Sequence, residues 1–280
     1  MIATRRRKRS NGLTLNYVIL TLLLVFALGP IIVLVFNSLK TNAQIGLNPL
    51  GPPTTFQFDN FARAWQLGGF GLTMRNSALL VLGTVTGVLV LGGLAAYSLA
   101  RLNLRGSNAL MLYLLVASTI PVWLYLVPLF FLWRNLGLIN TRIGLILLYI
   151  PLNAPFAIFL LRSYMVQLPV DFEDAARVDG ANELQVFTRV VLPLSWPGFL
   201  TVGLVVALGV WSEFPLALTF VNDPNLFPVA TSYFKFTSRF SRDWSLTSAS
   251  AVMMLAPVLI IFLALQRRFI EGLSQGGLKG

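Results

Sequence analysis

The chain has 280 residues, of which 56% are hydrophobic and 11% are charged, and its formal net charge is +11. An average soluble domain has about 45–50% apolar and about 25% charged residues, so this composition excludes an ordinary water-soluble domain. Cysteine and histidine are both absent. Their absence excludes disulfides, Cys/His zinc sites, thiol nucleophiles and histidine acid–base catalysis.

Six apolar stretches are each long enough to cross a membrane as a helix. A hydrocarbon core of about 30 Å requires about 20 helical residues. The predicted spans are 17–39, 76–100, 109–133, 143–161, 198–221 and 247–266. The sequence therefore predicts an all-α, polytopic membrane protein with about six transmembrane helices. An even number of spans places both termini on one side.

The basic residues predict which side that is. The run Arg5-Arg6-Arg7-Lys8-Arg9 precedes the first span, and basic residues beside a span resist translocation. No other basic face can be traced, so the charge indicates membrane orientation rather than a nucleic-acid partner. The first apolar run is too long for a signal peptide, whose apolar core has about 7–15 residues, and it predicts a retained helix. We expect cytoplasmic segments at 1–16 and 270–280 around a transmembrane domain at 17–269.

The predicted spans contain proline and glycine residues. Five spans contain proline, at Pro30, Pro121, Pro128, Pro151, Pro155, Pro215 and Pro257. Each proline removes a backbone donor, and the carbonyls that are freed need partners inside a helix bundle or a wet cavity. The second span instead contains Gly83-x-x-x-Gly87, which we interpret as a surface for close helix packing.

The predicted inside segment 162–197 contains five of the ten acidic residues. Asp171 predicts a helix start and is a candidate cap, while Gly180 predicts a left-handed stop. A second helix over 181–190 is expected to end at Leu192-Pro193. The segment thus predicts two short helices joined by a glycine turn.

One side of the first short helix suits a protein partner. Phe172, Ala175, Ala176 and Asp179 recur at helical spacing. Small residues beside one aromatic form a surface that enters a groove of another protein. The alternative is an amphipathic helix on the bilayer, which the acidic residues disfavour because such helices are usually rich in Lys and Arg.

This segment resembles the cytoplasmic loop of the permease subunits of bacterial ABC importers. Their pattern is E-A-A, three residues, G, nine residues and I-x-L-P. The matching residues here are Asp174-Ala175-Ala176, Gly180 and Val190-Val191-Leu192-Pro193. The chain departs from the pattern at two positions, since Asp174 replaces the usual Glu and Val190 replaces the usual Ile.

Further matches resemble the carbohydrate branch of that family, in particular its maltose-type second permease, and they cover nearly the whole chain. They are Ala64-Trp65, Gly68-Gly69-Phe70, Asn76-Ser77, Leu136-Gly137-Leu138, Asp179-Gly180-Ala181, Gln266 to Leu273 and Gly277 to Gly280. The resemblance implies a type I importer fold in a bacterial inner membrane and transport of a sugar or oligosaccharide.

The resemblance also implies a coupling helix that docks in a groove of a separate ATPase. Its residues are Phe172, Glu173, Asp174, Ala175, Ala176, Asp179 and Gly180. Either Asp174 or Glu173 would pair with a basic residue of the ATPase. The implied partners are a second permease subunit, an ATPase subunit dimer, an extracytoplasmic solute-binding protein and membrane lipid.

We expect no catalytic residue, metal site or cofactor on this chain. The sequence lacks a phosphate-binding loop of the GxxxxGK[ST] type. ATP and Mg²⁺ are therefore expected on the partner ATPase.

Glu213 is the single acidic residue within an apolar run. A charge at a helix centre costs about 2.5–3.5 kcal/mol on insertion scales. The carboxylate is therefore either a structural group near the outer interface or bonded to a neighbouring helix, or a solute contact. A sugar pathway would suit aromatic faces and polar groups. The candidates are Glu213, Trp211, Ser212, Trp123, Tyr125 and Asn153.

Three other functions remain as alternatives. One is a permease of the same branch for a phosphorylated polyol or another polar solute. Another is an ion-coupled secondary carrier, although neither inverted repeats nor an acid or histidine relay is evident. An intramembrane enzyme would need a nucleophile with a base or paired metal ligands within the spans.

Overall fold

The computed structural model describes the backbone of residues 10–238 and 243–277 and the side chains of residues 16–237 and 243–266. The basic run from Arg5 to Arg9 and the final residues 278–280 lie outside the described residues. The described chain is helical and contains no strand. The predicted all-α class is confirmed.

Fourteen α-helices follow one another along the described residues. They are α1 (Ser10–Ser38), α2 (Asn42–Leu47), α3 (Asp59–Gly68), α4 (Phe70–Arg101), α5 (Ser107–Thr119), α6 (Leu126–Asn135), α7 (Arg142–Val166), α8 (Asp171–Val178), α9 (Glu183–Val186), α10 (Leu192–Leu194), α11 (Trp196–Ser212), α12 (Pro215–Phe220), α13 (Val229–Ser238) and α14 (Trp244–Gly277). Short 3₁₀ turns cover Val122–Leu124 and Pro224–Leu226, and a π-helical turn covers Phe187–Val191.

In the part of the chain that the structure describes, four helical stretches are long and apolar enough to cross a membrane. They are Asn16–Ser38, Phe70–Arg101, Arg142–Val166 and Trp244–Gln266, and they correspond to the first, second, fourth and sixth predicted spans. The pair Glu183–Leu194 and Trp196–Ser212 forms a fifth crossing if the two helices, bent by 79°, are taken together.

The third and fifth predicted spans are broken, and both breaks lie at a proline. The residue before a proline is driven out of the α-helical region. Accordingly, α5 ends before Ile120, which is extended, and a 3₁₀ turn after Pro121 leads to α6. In the fifth predicted span, α11 ends before Glu213, which is extended, and α12 starts two residues later at Pro215; Phe214, directly before this proline, is not extended.

The described chain divides into two compact units. The first lies within Met1–Gly68 and Tyr233–Ala256, and the second within Gly69–Ser232 and Pro257–Gly280. In the first unit, a buried lysine organises the chain after α1. Lys40 Nζ donates to Asn37 Oδ1 at 3.0 Å and to the Asn48 carbonyl at 2.8 Å. Burial lowers the pKa of Lys40.

In the second unit, α4 packs along α7 and against α11. Buried apolar side chains of these helices form one continuous core. Gly83 and Gly87 of α4 face Ile146 and Ile150 of α7, and a Cβ at either glycine would overlap the facing isoleucine. The Gly83-x-x-x-Gly87 motif therefore packs against a neighbouring helix, as predicted.

Gly198→Val is expected to destabilise the packing of α11 on α7 by about 1–3 kcal/mol through overpacking. A Cβ at Gly198 would lie 2.7 Å from Cδ2 and 2.8 Å from Cγ of Tyr164, and the base of an aromatic ring cannot swing away. At Gly209, also on α11, no neighbouring side chain lies within 4 Å of a Cβ. Thermal unfolding in detergent should therefore show a lower midpoint for Gly198→Val than for Gly209→Val. Equal midpoints would contradict the close contact between Gly198 and Tyr164.

Candidate functional site in the loop between α7 and α11

The loop contains the predicted pair of short helices. Asp171 is the first residue of α8 rather than its cap, and it shares the first turn with Glu173 and Asp174. Negative charge there is favourable because the helix dipole is positive at its N-terminus. Gly180 follows α8 with φ +85°, a conformation that costs an L-residue about 1–2 kcal/mol. The predicted glycine stop is confirmed.

A capping box starts the second helix, and the sequence analysis missed it. Asn182 accepts from the Gln185 N–H at 2.9 Å, and the Gln185 side chain accepts from the Asn182 N–H at 2.9 Å. An N-cap residue followed three positions later by Gln is the signal that predicts such a box. The helix accordingly starts at Glu183 rather than at residue 181.

The predicted end of the second helix at Leu192-Pro193 is wrong. The helix continues through the π-helical turn into α10, where Pro193 occupies one of the first two positions. The chain bends instead at Ser195, between α10 and α11.

The two faces of α8 have different environments. With 3.6 residues per turn, Glu173 points opposite the face that carries Asp174, Ala175 and Val178. The Glu173 side chain is 2% exposed, whereas that of Asp174 is 65% exposed. Phe172 and Asp179 are also exposed, and Ala176 is half-buried. Asp174 therefore faces solvent, while Glu173 faces the protein.

A network of charged side chains holds α8 in place. Arg101 Nε at the end of α4 lies 2.6 Å from Glu173 Oε1. Arg177 lies 3.3 Å from Glu173, 2.9 Å from Asp174 and 2.9 Å from Glu183. Its hydrogen bond to Glu183 raises the pKa of Arg177. The loop is thus built around one guanidinium that three carboxylates surround.

A shallow pocket of about 310 Å³ opens beside the glycine turn. Its walls come from α8, the turn, α9 and the π-helical turn. The lining residues are Ala176, Asp179, Gly180, Ala181, Gln185, Arg189 and Val190. Asp179 and Arg189 give it charge of both signs, so it suits a polar side chain of a partner better than an apolar one.

Glu213 has a structural role in this chain. Its carboxylate accepts from the Tyr149 hydroxyl at 2.7 Å, from the Leu216 N–H at 2.7 Å and from the Ala217 N–H at 3.1 Å. Glu213 therefore satisfies the first N–H groups of α12 and ties that helix to α7. This geometry favours a structural role for Glu213 over a solute contact.

The two candidate pathway residues that line cavities, Trp211 and Tyr125, line different ones. Asn153 donates to the Tyr149 carbonyl at 2.8 Å, in the neighbourhood of Glu213, and Ser212 donates to the Leu208 carbonyl at 2.9 Å within its own helix. Trp211 lines a small cavity beside Pro257. The remaining two lie elsewhere in the unit.

Tyr125 lines a cavity of about 670 Å³ between α5, α6 and α7. Its lining residues are Ala117, Ser118, Ile120, Pro121, Val122, Tyr125, Leu129, Trp133, Leu148, Pro151, Leu152, Pro155 and Phe156. Trp123 is exposed in the adjoining 3₁₀ turn. The side chains of the described residues contain no group of three or more Asp, Glu, His or Cys that could hold a metal ion.

Continuous apolar helices, helices broken at proline and a polar loop that exposes an acidic helix define a multi-pass membrane protein. The chain belongs to the family described as the binding-protein-dependent transport system inner membrane component, whose model matches residues 88–275. It is thus a membrane component of such a transport system, as the resemblance of the loop implied.

Curated relatives match over nearly the whole chain. A sulfoquinovosyl glycerol transport system permease protein of Agrobacterium fabrum is 36% identical over 272 residues, which are 96% of this chain and 95% of the relative. A diacetylchitobiose uptake system permease protein of Streptomyces coelicolor is 33% identical over 264 residues, covering 94% and 87%. A trehalose transport system permease protein of Mycobacterium tuberculosis is 34% identical over 262 residues, covering 93% and 95%.

A solved structure shares the fold. It is a crystal structure of a bacterial ABC transporter involved in the import of the acidic polysaccharide alginate, with a TM-score of 0.80 and 24% identity. The match covers 95% of this chain and all of the other. The predicted importer-permease fold is confirmed.

Proposed function

We propose that this chain is the permease subunit of an ATP-driven importer and forms half of the translocation pathway for a sugar or oligosaccharide. The observation that carries the proposal is the exposed acidic helix α8, held by an ion-paired network in a member of this transport family. The relatives named above carry carbohydrate or glycoside solutes in their names. A phosphorylated polyol or another polar solute is the second candidate.

The docking surface for the ATPase is the exposed face of α8. Phe172 and Ala175 supply its apolar and small contacts, Asp179 adds a negative charge, and Gly180 sets the turn behind it. Asp174 is the acid that pairs with a basic residue of the ATPase, because its carboxylate is 65% exposed although it also contacts Arg177, whereas Glu173 is buried against Arg101. Ala176 supports the helix from its inner side.

The remaining partners follow from this assignment. A second permease subunit completes the pathway, an ATPase dimer binds ATP and Mg²⁺, and an extracytoplasmic binding protein delivers the solute. This chain is non-catalytic and lies in the bacterial inner membrane. Its transmembrane domain is 17–269, with the coupling loop at 162–197. The segments 1–16 and 270–280 are both cytoplasmic.

Asp174→Lys is expected to reduce association with the ATPase at least about tenfold, because a like-charge contact at a docked ion pair costs more than about 1.4 kcal/mol. Phe172→Ala should weaken association as well, since it removes an anchoring aromatic. The measurement is the amount of ATPase that co-purifies with the tagged complex from membranes. Asp59→Lys is the matched control, because Asp59 is an exposed acid outside the loop. Unchanged association of Asp174→Lys would refute the docking assignment.

A further inference from the structure

The last turn of α4 carries two side chains that reach into the loop. Tyr97 and Arg101 are four residues apart, so they lie on the same face of α4. The Tyr97 hydroxyl donates to Glu183 Oε2 at 2.6 Å. Arg101 is paired with Glu173 of α8 and donates from Nη2 to the Leu168 carbonyl at 2.7 Å. Both short helices of the loop are therefore attached to α4.

The Arg101–Glu173 contact is sealed from solvent. The two side chains are 9% and 2% exposed, and Arg101 Nε and Glu173 Oε1 form a close ion pair without hydrogen-bond geometry. In a buried pair the loss of one partner leaves an uncompensated charge. Such a contact is either fully made or strongly unfavourable. The contact of Arg177 with Asp174 is different, because the Asp174 carboxylate is largely exposed to solvent.

The covalent connections of α8 are less restrictive than this pair. On one side the four residues 167–170 join α7 to α8, and on the other side Gly180 turns the chain toward α9. A force on the exposed face of α8 would rotate these short connections unless a noncovalent contact resisted it. Arg101 supplies that resistance, and α4 in turn packs along α7 and α11.

We propose that Arg101 and Glu173 are positioning residues whose buried ion pair makes α8 and the end of α4 move as one body. The pair then converts displacement of the docked loop into displacement of a core membrane helix. Glu173 serves this internal contact, while the exposed carboxylate of Asp174, which also contacts Arg177, remains accessible to the partner. The inference rests on the proposed function, because it assumes that an ATPase displaces α8.

The first test measures a distance in the assembled transporter. The chain contains no cysteine, so cysteines introduced at Ser98 of α4 and at the exposed Val170, directly before α8, report on this subunit, provided that the partner subunits lack reactive cysteines. Spin-label distances are compared between the ATP-free and ATP-bound complex. For the otherwise unchanged subunit we expect the same distance distribution in both states. When Arg101→Gln is added, we expect the distribution to shift or broaden on ATP binding. A wild-type distance that already changes on ATP binding would overturn the proposal.

The second test separates transmission from docking. Arg101→Gln should retain the ATPase and its hydrolysis, because Arg177 still pairs with Glu173 and Asp174, while solute taken up per ATP falls at least about fivefold, the lower end of typical coupling effects. Arg105→Gln is the control, because Arg105 is an exposed arginine just beyond α4. If Arg101→Gln does not accumulate in membranes, Arg101→Lys keeps the charge but loses the planar fork. Solute uptake per ATP is then measured for Arg101→Lys in the same way.

The outcomes distinguish this inference from the proposed function. Lower uptake per ATP with retained ATPase supports transmission through the pair. Loss of the ATPase in Arg101→Gln, as in Asp174→Lys, would show that the pair only folds the docking surface and would overturn the inference. Unchanged uptake per ATP would also overturn it. Retained ATPase in Asp174→Lys would instead refute the docking assignment itself.

Discussion

Arg177→Glu is expected to abolish stable association with the ATPase. Arg177 lies within 3.3 Å of three carboxylates, those of Glu173, Asp174 and Glu183. The substitution removes these ion pairs and adds a fourth negative charge beside the buried Glu173. We expect a local cost of about 3 kcal/mol, or roughly 100-fold in association, because four carboxylates then repel one another beside α8 and Glu173 keeps only Arg101 as its partner.

The measurement for Arg177→Glu is again co-purification of the ATPase with the tagged complex. Arg105→Glu makes the same charge change at an exposed position and should leave association intact. Arg177→Lys should give an intermediate loss, because an ammonium cannot form the forked contacts of a guanidinium. Normal association in Arg177→Glu would mean that the network does not hold the docking helix.

Glu213→Lys is expected to destabilise the membrane bundle by at least about 3 kcal/mol. The change removes the acceptor of the Tyr149 hydroxyl and of two N–H groups at the start of α12. It also places a positive charge at the positive end of that helix. Glu213→Gln retains one acceptor oxygen and should lose about 1 kcal/mol.

The midpoint of thermal unfolding of the purified complex measures this effect. Ser212→Ala is the control, since the Ser212 hydroxyl bonds to carbonyls of its own helix, and its change should stay within about 0.5 kcal/mol. If Glu213 has a structural role, Glu213→Gln should lower the unfolding midpoint without changing the KM of uptake. A changed KM with an unchanged midpoint would identify Glu213 as a solute contact.

The apolar stretches predicted four of the described spans well, because length and hydropathy decide whether a helix is stable in lipid. The same length and hydropathy signal wrongly merged α5 with α6, and α11 with α12, into single predicted spans. Hydropathy sums are insensitive to Pro121 and Pro215, where the backbone departs from the helix. Pro151 and Pro155, in contrast, lie within the continuous helix α7. Whether a proline breaks a span depends on its neighbours in the fold and not on its presence alone.

The candidate site, like the fold, was predicted only in part from the sequence. Helix α8 and the turn at Gly180 could be predicted, because their signals are local in sequence. The burial of Glu173 could not, since its partner Arg101 belongs to a helix far earlier in the chain. The contact between Glu213 and Tyr149 likewise joins two separate helices. Only tertiary packing distinguishes Glu173 from the adjacent Asp174.

ATP hydrolysis on a docked partner drives solute uptake through this chain if α8 is the coupling helix. The most direct measurement is uptake of labelled oligosaccharides by vesicles that contain the complete transporter, with ATP or an ion gradient as the only energy source, for wild type and Gly180→Asp. Because Gly180 has φ +85°, the substitution should disturb the turn behind α8. We expect uptake with ATP alone, none with the gradient, and a strong loss in Gly180→Asp. Gradient-driven uptake without ATP, or unchanged uptake by Gly180→Asp, would contradict the account and favour a secondary carrier.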